Sequence, residues 1–92
     1  DEEFYRACLQ EVIADSAFST LGAALKEQDA KRAFEYAHML KGVVGNLGLT
    51  PLYEQTVKLV EPLRQGDCRG LWPVYETLLK MNEKLKALLL QV

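Results

Sequence analysis

Apolar residues recur along this chain every three to four positions, and nowhere do they alternate with polar ones for long enough to predict a strand. Five segments carry the helical spacing. The first, from about Glu2 to Ala14, places Phe4, Tyr5, Cys8, Leu9, Val12 and Ile13 one turn apart. Asp15-Ser16 reads as its stop and the next N-cap. A second segment runs to about Gln28 with Phe18, Leu21 and Leu25 on one side, and Gly22 on a neighbouring stripe weakens it. Asp29 is placed to cap a third segment, about Ala30 to Gly48, whose glycine suits a helix C-terminus. Thr50-Pro51 restarts the chain, Thr as N-cap and Pro at the first helical position. The fourth segment carries Leu52, Thr56, Leu59, Val60 and Leu63, with Pro62 removing one donor from the last turn. After a Gln65-Gly66-Asp67 turn, a final helix starts between Cys68 and Pro73 and runs to about Gln91. Its apolar positions are Leu71, Val74, Tyr75, Leu78, Leu79, Met81, Leu85, Leu88 and Leu89. Connections this short make consecutive helices antiparallel neighbours. The pattern predicts an all-α fold, an antiparallel up-and-down four-helix bundle with an additional N-terminal helix.

The third helix carries two conflicting patterns. At about 100° per residue, Ala33, Ala37, Leu40, Val44 and Leu47 form one stripe, and His38 falls about 160° from Leu40, near the middle of the opposite face. Gly42 lies one turn beyond His38 and Gly45 two turns beyond, with Lys41 to one side and Phe34 one turn back. Each glycine inside a helix costs roughly 0.8–1 kcal/mol against alanine. Neither Gly42 nor Gly45 is a cap, because the apolar pattern continues through Val44 and Leu47. The reading is close approach: something large reaches the backbone beside His38 where a Cβ would obstruct it. The competing reading is a second helix packed on that face, for which the sequence shows no continuous apolar stripe.

Composition narrows the chemistry. The chain has 92 residues, 49% apolar and 26% charged, which fits one globular domain spanning 1–92 and excludes disorder. No apolar run approaches the ~18 residues of a membrane span, so no membrane insertion is expected. A net charge of −2 leaves no electrostatic footprint for nucleic acid. The acidic start, Asp1-Glu2-Glu3, is unlike a signal peptide, and the lack of an initiator methionine fits a domain excised from a longer protein or a trimmed start. Cys8 and Cys68 form no framework and, with a single histidine, a poor zinc set; they read as two reduced thiols in a cytoplasmic protein.

His38 is the only histidine. It has no Ser or Cys beside it to activate and no second histidine to act as base, and a surface imidazole beside cleared glycines is the reverse of a pocket. Nucleophilic chemistry needs less. A neutral imidazole has a free lone pair on one ring nitrogen and is abundant at pH 7. Such a nitrogen can attack phosphorus and hold a phosphoryl group. Lys41, three residues on, can reach the added charge.

Read in order, Ala37-His38-Met39-Leu40-Lys41-Gly42-Val43-Val44-Gly45-Asn46-Leu47-Gly48-Leu49 resembles the signature of histidine-containing phosphotransfer (HPt) domains. That pattern is a His, an apolar residue two on, Lys-Gly, and then small residues with a small-apolar-Gly ending. The likeness extends more loosely over the whole chain. It implies a four-helix bundle that relays phosphoryl groups between aspartates of response-regulator receiver domains, including those of hybrid sensor histidine kinases. His38 would be the phosphorylated residue, Lys41 the neighbouring cation, and Gly42 and Gly45 the residues that give the aspartyl phosphate access. Where many members carry Ser or Ala after Lys-Gly, this chain has Val43 and Val44, which the wheel assigns to packing.

No ATP-binding signature, phosphate loop or acidic cluster for Mg²⁺ accompanies the motif. The resemblance therefore implies a carrier and not an autokinase, with no cofactor of its own and Mg²⁺ on the receiver alone. It fits a cytoplasmic monomer, free or tethered within a membrane sensor kinase. Phe34 and Leu49 are candidate docking contacts beside Gly42 and Gly45, each weighed against partial burial, with Tyr53 and Gln55 as weaker candidates. Trp72, Tyr75 and Tyr5 read as core or bundle-end packing, and Asn82 as a hydrogen-bonding residue within the bundle. The alternatives are a non-catalytic adaptor bundle that docks a partner without transfer and a helical dimer with Gly42 and Gly45 at the crossing.

Overall fold

Helices form where the apolar residues recur at helical spacing: α1 (Ala17–Lys26), α2 (Ala30–Asn46), α3 (Thr50–Arg64) and α4 (Trp72–Leu90). The computed structural model describes residues 2–3 and 17–90, with no strand among them. Glu2 and Glu3 are helical; the rest of the first amphipathic segment, and Asp15-Ser16, lie outside the described residues.

Three of the helix ends share one geometry. The residue after the C-cap takes a left-handed backbone, and two hydrogen bonds close back onto the last turn. At the end of α2, Gly48 (φ 73°) donates to the Gly45 carbonyl and Leu49 to that of Val44, at 3.1 and 3.0 Å. At the end of α3, Gly66 (φ 81°) donates to Leu63 and Asp67 to Pro62. Both satisfy carbonyls a helix end would otherwise leave unpaired. The end of α1 repeats the pattern without glycine: Gln28, at φ 57°, donates to Leu25 and Asp29 to Ala24. Glycine punctuation in the sequence marks the first two ends and is silent about the third.

The starts differ more from expectation. Asp29 does cap α2, its carboxylate accepting from the Arg32 N–H at 3.2 Å. The α3 N-cap is Leu49 and not Thr50, which is already helical, and Leu49 has no side chain with which to cap. Pro51 compensates in part, since a proline in the first turn lacks a donor that would need a partner. Between α3 and α4, the Asp67 carboxylate accepts from the backbone N–H and guanidinium of Arg69. Those bonds hold its carboxyl below the usual range.

The core joins the four stripes. Phe18, Leu21 and Leu25 of α1, Ala33, Ala37, Leu40 and Val44 of α2, Leu52, Leu59, Val60 and Leu63 of α3, and Tyr75 and Leu78 of α4 are buried together. Each helix packs on the next, and α4 closes back on α1. Thr56 is fully buried because its hydroxyl donates to the Leu52 carbonyl at 2.7 Å. Leu47 lies at the stripe's end and is only half-buried, and Leu88 of α4 is 61% exposed, outside the core the spacing assigned it. Asn82 is buried, but its Oδ1 has no hydrogen-bond partner.

Gly22 has a role the sequence did not suggest. It is buried, and a Cβ built there would lie 2.7 Å from Cζ of Tyr75 and closer still to its hydroxyl oxygen. That hydroxyl donates to the Phe18 carbonyl at 2.7 Å. The glycine that weakens α1 as a helix therefore lets α4 seat a tyrosine against its backbone. Trp72, 37% exposed, meets Tyr75 at the bundle end with ring centroids 5.0 Å apart and planes tilted by 44°, and the Lys26 ammonium lies 5.4 Å from the Trp72 ring centre.

Candidate functional site

The small residues of α2's buried face, Ala33 and Ala37, are fully enclosed, and Leu40 and Val44 continue that face toward the C-terminus. Burial of this stripe fixes the helix's rotation, so its opposite side faces outward. His38 sits there, exposed.

Side chains in a helix lean toward its N-terminus, onto the residue three or four places back. His38 accordingly meets Phe34, with ring centroids 5.5 Å apart and planes tilted by 35°. Phe34 is half-buried and packed against the core. Its ring also meets the Arg64 guanidinium, whose Cζ is 5.5 Å from the ring centre. Arg64 comes from the last turn of α3 and pairs with Glu61 at 3.6 Å.

Over Gly42, the other side of His38 is open among the described residues. A residue at position 42 would lean back onto the imidazole by the same rule. Gly42 has no side chain to do so, and a Cβ built there would meet nothing within 4 Å. Gly45 differs: a Cβ there would lie 3.3 Å from Cδ2 and Cε2 of Tyr53. Its missing side chain makes room for a ring of the neighbouring helix, so the packed-helix reading of the glycines holds in part for Gly45 and not for Gly42. Tyr53 itself is 37% exposed.

Lys41 is half-buried, and among the described residues its ammonium has no ion-pair partner. Leu49 belongs to a different set. It lines an apolar groove of about 340 Å³ with Pro51 and Leu52 of α3 and Met81, Leu85 and Leu88 of α4, and no α2 residue joins them. The structure thus gathers His38, Phe34, Lys41, Gly42 and Gly45 on or beside one helix face and sets Leu49 apart from them. Gln55 is half-buried on α3.

Arg64 carried no signal in the sequence. It becomes visible only with the antiparallel register of α2 and α3. Gly45 and Tyr53 lie four residues either side of Leu49, and Phe34 and Arg64 fifteen residues either side. A register set by the tight connection pairs both couples.

No group of His, Cys, Asp and Glu among the described residues is placed to hold a metal ion, and no described helix is long and apolar enough to cross a membrane. Cys68 is a free thiol whose pKa is pushed up, first by burial and then by Asp67 and Asp29, which disfavours a reactive thiolate. Cys8 lies outside the described residues. The face can offer one nucleophilic imidazole, open on one side, with a lysine on the neighbouring stripe. Among families of known proteins, the Hpt domain model matches residues 3–89. No curated protein and no solved structure matches the chain.

Proposed function

Because this chain belongs to the Hpt domain family, we propose that it is a phosphorelay intermediate whose His38 accepts a phosphoryl group from an aspartyl phosphate of one receiver domain and passes it to another. Hpt domains are phosphocarrier modules of two-component signalling; they work through a phosphohistidine, partner response-regulator receivers and lack kinase activity. The observation that carries the assignment to His38 is the pairing of an exposed imidazole with open space above Gly42, one turn on. The reading rests on an up-and-down bundle, with the first amphipathic segment as an additional helix.

In the step proposed, the unprotonated ring nitrogen of His38 attacks phosphorus of the receiver's acyl phosphate. A P–N bond forms, the P–O bond to the aspartyl carboxylate breaks, and the carboxylate leaves with its electron pair. The ring's other nitrogen keeps its proton or releases it to solvent. Transfer onward is the reverse with a second aspartate. The receiver and its Mg²⁺ supply most of the charge neutralisation, and Lys41 adds a cation from this chain. What α2 contributes is position, an imidazole held on a rigid helix with its approach cleared. The receiver would cover the face from Gly42 to Tyr53, and nothing in this requires a second copy of the chain.

The test is transfer in both directions. Mixed with a phosphorylated cognate receiver, the domain is expected to gain label as the receiver loses it, and added dephosphorylated receiver should draw it back. His38→Gln should take no label while keeping its helical circular dichroism. A stable complex with receiver but no label would favour the adaptor alternative.

A further inference from the structure

The geometry points to Phe34 as a positioning residue for the His38 imidazole, held in place by Arg64 of the neighbouring helix. Its consequence for transfer rests on the phosphorelay reading above; its consequence for the imidazole does not.

Phe34 is in contact with two groups. The His38 ring rests 5.5 Å from Phe34, and the Arg64 guanidinium carbon lies 5.5 Å from the same phenyl centre. Phe34 and Arg64 are each held by the fold. Phe34 is half-buried and packs against the core. Arg64 springs from the turn of α3 that Gly66 and Asp67 close with hydrogen bonds to Leu63 and Pro62, and Glu61 steadies its guanidinium at 3.6 Å. A cation over an aromatic face is attracted to the ring quadrupole, which favours one placement of the phenyl.

The asymmetry around His38 then has a physical reading. Toward the helix N-terminus the imidazole meets the Phe34 ring; toward the C-terminus, over Gly42, the space is open among the described residues. An unsupported histidine in a helix keeps two common χ1 wells and two broad orientations of its ring, so any one reactive geometry would hold about a quarter of the population. A wall that selects one of them raises the reactive fraction by up to about fourfold, with no contact to the phosphoryl group. Phe34 thereby does something other than dock a partner. A docking contact would change how much receiver is needed, whereas a wall changes how fast the bound complex reacts.

The test uses the unphosphorylated domain first. In NMR spectra, the His38 imidazole protons are expected to show a ring-current displacement in the native chain and in Phe34→Tyr. Phe34→Leu, which keeps apolar packing without the ring, should lose it, and Arg64→Met should lose it in part. In transfer from a phosphorylated receiver, Phe34→Leu should lower the maximal rate two- to fourfold, leave the half-saturating receiver concentration unchanged, and be rescued by Phe34→Tyr. Raised half-saturation at an unchanged maximal rate would make Phe34 a docking contact and overturn the proposal. So would imidazole resonances indifferent to both substitutions. If Arg64→Met leaves those resonances untouched but shortens the lifetime of the phosphorylated domain, Arg64 acts on the phosphoryl group and is not a strut. The NMR readings need no phosphoryl group, so complete failure of transfer would count against the relay reading alone.

Discussion

Gly42 and Gly45 share a helix face with His38, and their surroundings give them different consequences. Alanine at 42 meets no neighbour among the described residues, so Gly42→Ala should stabilise the fold by up to about 1 kcal/mol through helix propensity. Gly42→Gln should fold as well but lean back over the imidazole and slow transfer. Alanine at 45 presses on the Tyr53 ring, which must yield by a few tenths of an ångström. The gain from Gly45→Ala should therefore be the smaller of the two, as urea denaturation of both variants would show. Equal gains, or a larger one at 45, would mean that Tyr53 does not constrain the site. At this scale the sequence places His38 and Gly42 on one helix face with Lys41 beside it, because placement around one helix depends only on local geometry. It is not informative about the Tyr53 and Arg64 contacts, which depend on the register between two helices. Continuing the wheel past the helix end puts Leu49 near the His38 face, but the chain turns at Gly48 and carries it to the groove with α4.

At the scale of the element, helix ends and helix contacts follow different rules. Gly48 and Gly66 are readable as stops because glycine adopts the left-handed backbone without cost, whereas Gln28 adopts it against its own preference. Gln28→Gly is accordingly expected to raise stability by about 0.5–1 kcal/mol in urea denaturation; a loss would mean that the glutamine side chain makes up for the strain. Gly22 is the converse case. Propensity alone says that alanine there should help by roughly 0.8–1 kcal/mol. The Tyr75 ring, tied to the Phe18 carbonyl, occupies the space, and overpacking of this kind costs about 1–3 kcal/mol. Gly22→Ala should therefore lower the denaturation midpoint, which intrahelical reasoning gets wrong in sign. The helical periodicities of α1 to α4 were legible because each is a property of one segment; the fit of Tyr75 into α1 is a property of two segments distant in sequence.

For the whole molecule, Tyr75 links the last helix to the first and makes that link sensitive to alkali. Burial raises its phenol pKa above the ordinary value of 10.0. The folded state thus disfavours the phenolate relative to the unfolded chain. The stability tied to the neutral phenol is complete below the unfolded pKa and is lost as pH rises through the higher folded one. Urea denaturation at pH 8 should show Tyr75→Phe less stable by about 0.5–1.5 kcal/mol, the hydrogen bond to Phe18 being lost. Above pH 10 the difference between native chain and variant should shrink; an unchanged difference would place the phenol in water. The bundle so joined fixes α2 with its imidazole exposed. Whether that imidazole carries a phosphoryl group is measured most directly by labelling the domain from a phosphorylated receiver, testing the label in acid and alkali, and locating it by mass spectrometry. The expected result is one acid-labile, alkali-stable phosphoryl group on His38, absent from His38→Gln. Label on any other residue, or undiminished label in His38→Gln, would contradict it.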